Sequence, residues 1–348
     1  RHLFLEDSML KLFTTKNLFF TLALTLMVAG QAMGALADST IAGSTYKKIG
    51  SCQELVEFRN FVSASNDKLT TNAILTANID MSVCGGTFTP IGKNGSRYMG
   101  HFNGNNHVIS NLVIATGHEM NNTGLFFGLD NGGLIENLIL ENVNISATKD
   151  NSSWSTTVSV GAVVGWMKSG TIRNCYTSGQ INTTGFENRI GGIVGYISSG
   201  TIENCLSTVS ASASGNNTYV GGIAGHFESG IIRSCVYDND AGALINSGSG
   251  SIGGLVGSKT NNGNIEDCYY KQGVASVAVG SVTGAGTGGT FDTLSATDLN
   301  TKEISCDLNH GTLTDGVCSV ISPWGNCDNI TNFGFSYDEA KNLVYVIT

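Results

Sequence analysis

Apolar and polar positions recur through the middle of the chain as one phrase. "GGIVGYISSGTIENC" (Gly191 to Cys205) returns thirty residues later as "GGIAGHFESGIIRSC" (Gly221 to Cys235). "VGAVVGWMKSGTIRNC" leads to Cys175, and "IGGLVGSKTNNGNIEDC" to Cys268. "TGLFFGLDNGGLIENL" ends on Leu138, and "HVISNL", ending on Leu112, keeps only the second half. The spacings between these aligned Leu or Cys positions are 26, 37, 30, 30 and 33 residues, with most insertions between phrases. A period of roughly 20 to 50 residues marks a solenoid, in which each unit buries its apolar face only against the next.

One unit reads as three short strands. "GGIVGYI" is apolar and rich in β-formers, "SSG" is a turn signal, "TIENCLS" is a second strand and "TVSASAS" alternates as a third. "GNNTY" reads as a loop. The expected fold is all-β, a right-handed parallel β-helix with one coil per repeat and a short N-terminal capping helix. Stacking then turns repeat positions into columns. Ile135, Ile172, Ile202, Ile232 and Ile265 form an inward column. One residue later, Glu136, Arg173, Glu203, Arg233 and Glu266 alternate in sign. In parallel strands about 4.8 Å apart, this sets opposite charges above and below one another, favourable by about 0.2–1 kcal/mol per pair.

Asn111, Asn137, Asn174 and Asn204, then Ser234 and Asp267, follow in the next column. They stand between two inward positions three apart, which strict alternation forbids, so a bend at Asn is expected. Leu112, Leu138, Cys175, Cys205, Cys235 and Cys268 come next; a position that accepts Leu is a packed one, and the four cysteines read as buried free thiols. "SCQELVEFRNFV" has Ser51 and Glu54 in capping-box spacing and apolar residues at helical period, a cap for one end of the stack. The expected boundaries are a secretory signal at 1–37, an N-terminal cap with the first strands at 38–85, β-helix repeats at 86–290 and a C-terminal cap region at 291–348.

Composition narrows the function. Charged residues are 13% of the 348, about half the usual share. The net charge is −9 and no basic run occurs, so nucleic acid is not an expected partner. Lys11 and Lys16, the apolar run Leu18 to Gly30 and Ala35-Leu36-Ala37 form a signal-peptide pattern with cleavage before Asp38; Met9 is a candidate initiator. No further transmembrane span is expected, and the location is secreted or cell surface. Of the nine cysteines, Cys52 and Cys84 can pair, as can two of Cys306, Cys318 and Cys327.

The phrases "GGIVGYISSGTIENC" and "GGIAGHFESGIIRSC" resemble the GLUG motif of bacterial surface proteins, among them some immunoglobulin A peptidases and filamentous-haemagglutinin-like adhesins. "FTPIGKNGSRYMGHFNGNNHVISNLVI" (Phe88 to Ile114) resembles the segment that commonly precedes such repeats. The resemblance covers roughly Ser51 to Tyr270. It implies the solenoid architecture and a surface setting. The peptidase relatives carry a zinc HExxH site elsewhere in their chains; "HEMNN" at His118 lacks the second histidine.

Candidate chemistry is sparse. β-Helices also carry polysaccharide lyases and hydrolases, which need clustered carboxylates on one face. The densest acidic spot is Asp238-Asn239-Asp240, short of the ligands of a calcium loop. His101 and His107 flank a turn without zinc-ligand spacing. No catalytic residue, metal or cofactor is expected. One column suggests binding: Trp166, Tyr196, His226 and Ser258 follow the last glycine of each GGxxG, beside an apolar column Met167, Ile197, Phe227 and Lys259. Alternation turns the first column outward. The expectation is an exported non-catalytic interaction module, with host glycans or extracellular proteins as partners. The alternatives are a polysaccharide-active enzyme and a structural fragment of a larger adhesin.

Overall fold

A computed structural model describes residues 36–93, 95–116, 121–148, 157–240, 242–271 and 273–283, and beyond them the backbone of five strands between Phe291 and Ile347. The signal-peptide pattern lies outside the described residues, apart from Leu36 and Ala37. Parallel strands stack into a β-solenoid of about seven turns. Each central coil contributes to four ladders. An outer ladder runs through Asn122–Thr123, Thr157–Gly161, Glu187–Gly191, Thr218–Gly221 and Gly250–Gly253. A glycine ladder follows in Phe126–Leu129, Val164–Met167, Val194–Ile197 and the start of Ala224–Arg233 and Val256–Lys271. A charged ladder holds Leu134–Glu136, Thr171–Arg173 and Thr201–Glu203, and a long ladder holds Ile139–Thr148, Tyr176–Thr184 and Leu206–Ser214.

The outer ladder corrects the expectation of three strands per coil and of a loop at "GNNTY". Thr218–Gly221 is a strand, and Glu187–Gly191 is its neighbour. Mixed polar residues that run directly into two glycines concealed it. The phrase GGxxG is therefore a corner between two ladders rather than one strand. Its glycines are there for space. A methyl group at Gly225 would overlap the backbone nitrogen of Ile190 in the outer ladder of the preceding coil, and one at Gly222 would overlap the ring of Tyr237. No side chain larger than hydrogen fits where two backbones meet this closely.

The inward columns form the core. Ile135, Ile172, Ile202, Ile232 and Ile265 are in register and fully buried, as are Leu138, Cys175, Cys205, Cys235 and Cys268. Between them Asn137, Asn174 and Asn204 adopt φ of +53°, with Ser234 at +51° and Asp267 at +48°. This left-handed turn is the bend that lets two residues three apart both face inward; Asn and Asp tolerate it best among residues with a side chain. The amides also bond along the column, Asn174 Nδ2 to Asn137 Oδ1 at 3.0 Å and Asn204 Nδ2 to Asn174 Oδ1 at 3.4 Å.

Asn111 and Leu112 do not belong to these columns. Ile109 pairs with Leu140, and Asn142 Nδ2 donates to Asn111 Oδ1 at 2.6 Å. The residue in register with Ile135 is Phe102, 33 positions earlier, so the 26-residue spacing was a misalignment. The coil has a second left-handed corner, at Asn142 (φ +52°) and Asn111 (φ +57°). Two corners built of the same residues look alike in sequence.

At the N-terminal end, Ser44–Ile49 pairs in parallel with Asn72–Leu75, and helix α1 (Cys52–Ala64) intervenes. Ser51 Oγ accepts from Glu54 N at 3.2 Å, and the Glu54 carboxylate accepts from Gly50 N at 2.6 Å. That is a capping box displaced by one residue on its return arm. Phe58 of α1 packs against Tyr98 and Phe102, so the helix covers the core of the first coils. Cys52 and Cys84 form a disulfide, which ties the start of α1 to the turn that follows Ile79–Asp80. The pairing expected among Cys306, Cys318 and Cys327 lies outside the described side chains. The parallel stack continues through Phe291–Ala296, and two antiparallel hairpins follow, Gly311–Thr314 with Val317–Val320 and Gly334–Asp338 with Leu343–Ile347.

Glu136, Arg173, Glu203, Arg233 and Glu266 lie in one register column. Each guanidinium reaches back one coil: Arg173 Nε is 2.8 Å from Glu136 Oε2, and Arg233 Nε is 2.9 Å from Glu203 Oε2. The carboxylates are sunk, with side chains 9% and 14% exposed against 38% and 42% for their arginines. We therefore expect Arg233→Glu, which leaves Glu203 unpaired below a third carboxylate at Glu266, to cost about 1–2 kcal/mol, between the values for exposed and buried pairs. Urea unfolding at low and high salt tests this, and salt should recover only part of the loss. The four column cysteines are free and buried. Burial pushes the thiols of Cys175, Cys205 and Cys235 well above their ordinary pKa, so the reactive thiolate is suppressed. Alkylation mapped by mass spectrometry should leave all four unmodified in the folded protein and modify all four after denaturation.

Candidate ligand-binding site

The residue after the last glycine of GGxxG points away from the core, because its neighbours on either side of the strand are buried. Gly128, Trp166, Tyr196, His226, Ser258 and Ser281 follow one another in register on six successive coils. Trp166 and Tyr196 stack with centroids 5.7 Å apart and planes 20° from parallel; Tyr196 and His226 are 5.5 Å apart at 44°. Separations close to the coil repeat mean that the rings stack along the solenoid axis. Their faces meet one another and their edges meet solvent. All three are half-buried.

Two arginines cover this column. Arg97 lies 3.8 Å from the Trp166 centroid, above the space that Gly128 leaves vacant, and Arg189 lies 4.4 Å from the Tyr196 centroid. Tyr219 sits beside His226, with centroids 5.8 Å apart. Cation–ring contacts of this kind contribute about 0.5–2 kcal/mol each. Arg189 and Tyr219 come from the outer ladder, where Ser159, Arg189, Tyr219 and Ser251 are in register. Each stands seven residues before its neighbour in the ring column. That constant offset is present in the sequence, but the mixed polar residues of the outer ladder do not read as strands and so conceal it. Arg97 belongs to no repeat position and carried no signal.

The charges around the column are paired. Arg189 Nη2 is 2.7 Å from Glu187 Oε1, and Asp130 receives Lys168 at 3.3 Å and Arg97 at 3.7 Å. Burial alone would raise the Asp130 carboxyl, but the Asn131 amide, Lys168 and Ser169 outweigh it and hold its pKa low. His226 is pushed down to about 4, first by burial and then by Arg189, so its imidazole is neutral at pH 7. Four buried polar atoms of this cluster have no hydrogen-bond partner among the described residues: Arg97 Nε, Arg189 Nε, His226 Nδ1 and Ser258 Oγ. Lys259, grouped by sequence with the inward column, is indeed buried there.

The remaining candidates are held in local networks. His101 Nε2 is 2.7 Å from Glu136 Oε1, and its Nδ1 is 2.7 Å from the Tyr46 hydroxyl. The Glu136 carboxyl, which burial alone would raise, is kept low by His101 and Arg173. His107 meets Asn78. Asp238 and Asp240 lie 3.7 and 3.2 Å from the Lys271 ammonium, a cation already in the place a metal would take. Among the described residues, no group of three or more His, Cys, Asp or Glu is placed to hold a metal.

The chain matches no family model. It is 34% identical over 149 residues, 40% of its length, to halomucin of Haloquadratum walsbyi, and the match occupies 2% of halomucin. Among solved structures it is similar to a candidate immunoglobulin A1 protease from Bacteroides ovatus, at 18% identity and a TM-score of 0.43, over 81% of this chain and 93% of that one. No described helix is long and apolar enough to cross a membrane.

The depressed His226 pKa has a consequence for stability. The unfolded chain takes up a proton near pH 6.5, while the folded protein resists it until about pH 4. The contribution is therefore fully present above pH 6.5 and is lost as pH falls through that window, by at most about 3 kcal/mol. Chemical unfolding at pH 7, 5.5 and 4 should show this decline, and His226→Phe should flatten it. Equal slopes for the two proteins would refute the assignment.

Proposed function

We propose that the chain is an exported, non-catalytic β-helical protein of GLUG-type repeats, acting at the cell surface as an adhesin-type interaction module. Its partners are host glycans or extracellular proteins. The observation that carries this reading is the ring column Trp166–Tyr196–His226 with Arg97 and Arg189, which collects half-buried aromatic and cationic side chains on one outer face. Such residues dominate recognition surfaces, because they offer large contact area with few rotatable bonds. The signal-peptide pattern, the Cys52–Cys84 disulfide and the similarity to part of halomucin support an extracellular setting. The catalytic alternative ranks below it. Glu136 and Asp130 are held ionised by their partners, whereas a general acid needs its carboxyl raised.

Two measurements test this. Cell fractionation with N-terminal sequencing should find a mature chain beginning at Asp38 outside the cytoplasm. The purified mature chain should bind within a panel of immobilised glycans, matrix proteins and cell-surface extracts. Trp166→Ala combined with Tyr196→Ala should weaken that binding at least about tenfold, the order expected for losing two interface anchors. Binding to nothing on the panel, or release of products from a polysaccharide, would overturn the proposal.

A further inference from the structure

The N-terminal cap holds a cavity of about 30 Å³ between α1 and the loop that follows Ile79–Asp80. Val56 and Arg59 of α1, Met81, Phe88 and Val113 line it, and Cys84 to Thr87 form its rim. The rim residues are exposed, and no atom lies within 4 Å of where a Cβ would stand at Gly85 or Gly86, so the cavity opens to solvent. Its walls are fixed in place. The Cys52–Cys84 disulfide holds the loop to α1, and Phe88 N donates to Val113 O at 2.7 Å. Arg59 is the charged residue of this lining. Arg97, Arg173, Arg189 and Arg233 each pair with a carboxylate. Arg59, the remaining arginine among the described residues, pairs with none. Its Nε and Nη2 donate to Asn60 Oδ1 at 3.2 and 2.8 Å, and its guanidinium lies 5.2 Å from the Phe88 centroid. Nη1 makes no hydrogen bond and keeps contact with solvent, unlike the sealed Nε of Arg97. Burial lowers the Arg59 pKa with no carboxylate to offset it, whereas Asp130 supplies that offset for Arg97.

We infer that this cavity is a binding site for a small monocarboxylate with a short apolar stem. The inference does not depend on the ring column. The carboxylate accepts from Nη1 and from the second N–H of Nη2, the donors that Asn60 leaves open. The stem enters among Val56, Met81, Phe88 and Val113, where its apolar surface leaves water. A cavity of this volume holds about two water-sized groups, so the ligand is of the size of propionate rather than of a long-chain acid. The charge distribution selects a monoanion. One guanidinium balances one negative charge, and a sulfate or phosphate dianion would hold an uncompensated charge against apolar walls. A neutral amide of the same shape would leave the guanidinium without a counter-charge.

The test titrates the mature chain with sodium propionate at pH 7 and constant ionic strength, reading chemical shifts at Arg59, Gly85 and Gly86. Propionamide and sodium sulfate serve as the neutral and dianionic probes. Three variants accompany it. Arg59→Met keeps an apolar stem over Phe88 and removes the charge; Arg59→Lys keeps the charge and removes the fork; Val113→Phe fills the cavity from its exposed side. The expected result is saturable binding of propionate with a Kd between about 0.01 and 10 mM, as for so small a ligand. Propionamide and sulfate should bind at least about tenfold more weakly, and Arg59→Met should weaken propionate by the same factor, as for the loss of a charge-assisted hydrogen bond. Arg59→Lys should weaken it severalfold, and Val113→Phe should abolish it with the charge intact. Thermal melting compares each variant with the parent. Should Arg59→Met fail to fold, Arg59→Lys and Val113→Phe decide the matter. Absence of saturable shifts at the three residues would overturn the site. So would sulfate or propionamide binding as well as propionate, or propionate binding that the folded variants leave unchanged. None of these outcomes bears on glycan or protein binding at the ring column, which is scored separately.

Discussion

Backbone meets backbone at the third glycine of each GGxxG phrase, and the rest of the coil takes its shape from that contact. Gly165, Gly195, Gly225 and Gly257 each lie against the main chain of the outer ladder one coil below, too close for a methyl group. Two ladders can approach this far only if one offers no side chain at the crossing. The approach fixes the corner angle. The corner aims Val194 and its equivalents into the core and sets Tyr196 and its equivalents on the surface. It also brings the outer-ladder residue seven positions earlier beside the ring, so that Arg189 can cover Tyr196 and Tyr219 can stand by His226. The candidate site is a by-product of a steric constraint in the scaffold.

The second constraint is the left-handed corner at Asn. A strand alternates its side chains strictly, yet Ile202 and Cys205, three apart, are both fully buried. One residue at positive φ between them changes the phase. The cost of that conformation for a residue with a Cβ is about 1 kcal/mol, and the amide bonds along the column offset part of it. Ser234 and Asp267 accept the same conformation although neither carries an amide side chain, so the bend rather than a run of amides is the requirement.

Columns were legible from sequence where a repeat position keeps its chemistry through several units. The isoleucines and the alternating charges do so and are found in register, and the Leu-or-Cys position from Leu138 to Cys268 is buried throughout. Legibility failed in two places for physical reasons. Asn111 was aligned with Asn137 because the coil bends twice and uses asparagine at both bends, so a local match did not identify which corner it was. The outer ladder was missed because its outward residues, Ser159, Arg189, Tyr219 and Ser251, share no chemistry, and its strands end in glycines that read as turn. The burial of Glu136 was not legible either. It depends on His101 and Arg173 arriving from coils on both sides, and those neighbours lie 35 and 37 residues away in sequence.

A solenoid also changes how a surface site can arise. In a globular domain, a cluster of rings must be assembled from distant segments. Here one substitution per repeat, at a position the scaffold does not need, places a new side chain directly beside the same position of the next coil. The isoleucine column from Ile135 to Ile265 does not vary in this way, since each coil is the lid of its neighbour and a change of volume is felt at once. Trp166, Tyr196, His226 and Ser258 are the reverse case: four chemistries at one repeat position, all compatible with one backbone. The position carries no packing demand strong enough to hold it constant, and so can record a demand of another kind. The variation is concentrated at one place, where three rings give way to serine at the same coil as the flanking column passes from Tyr219 to Ser251.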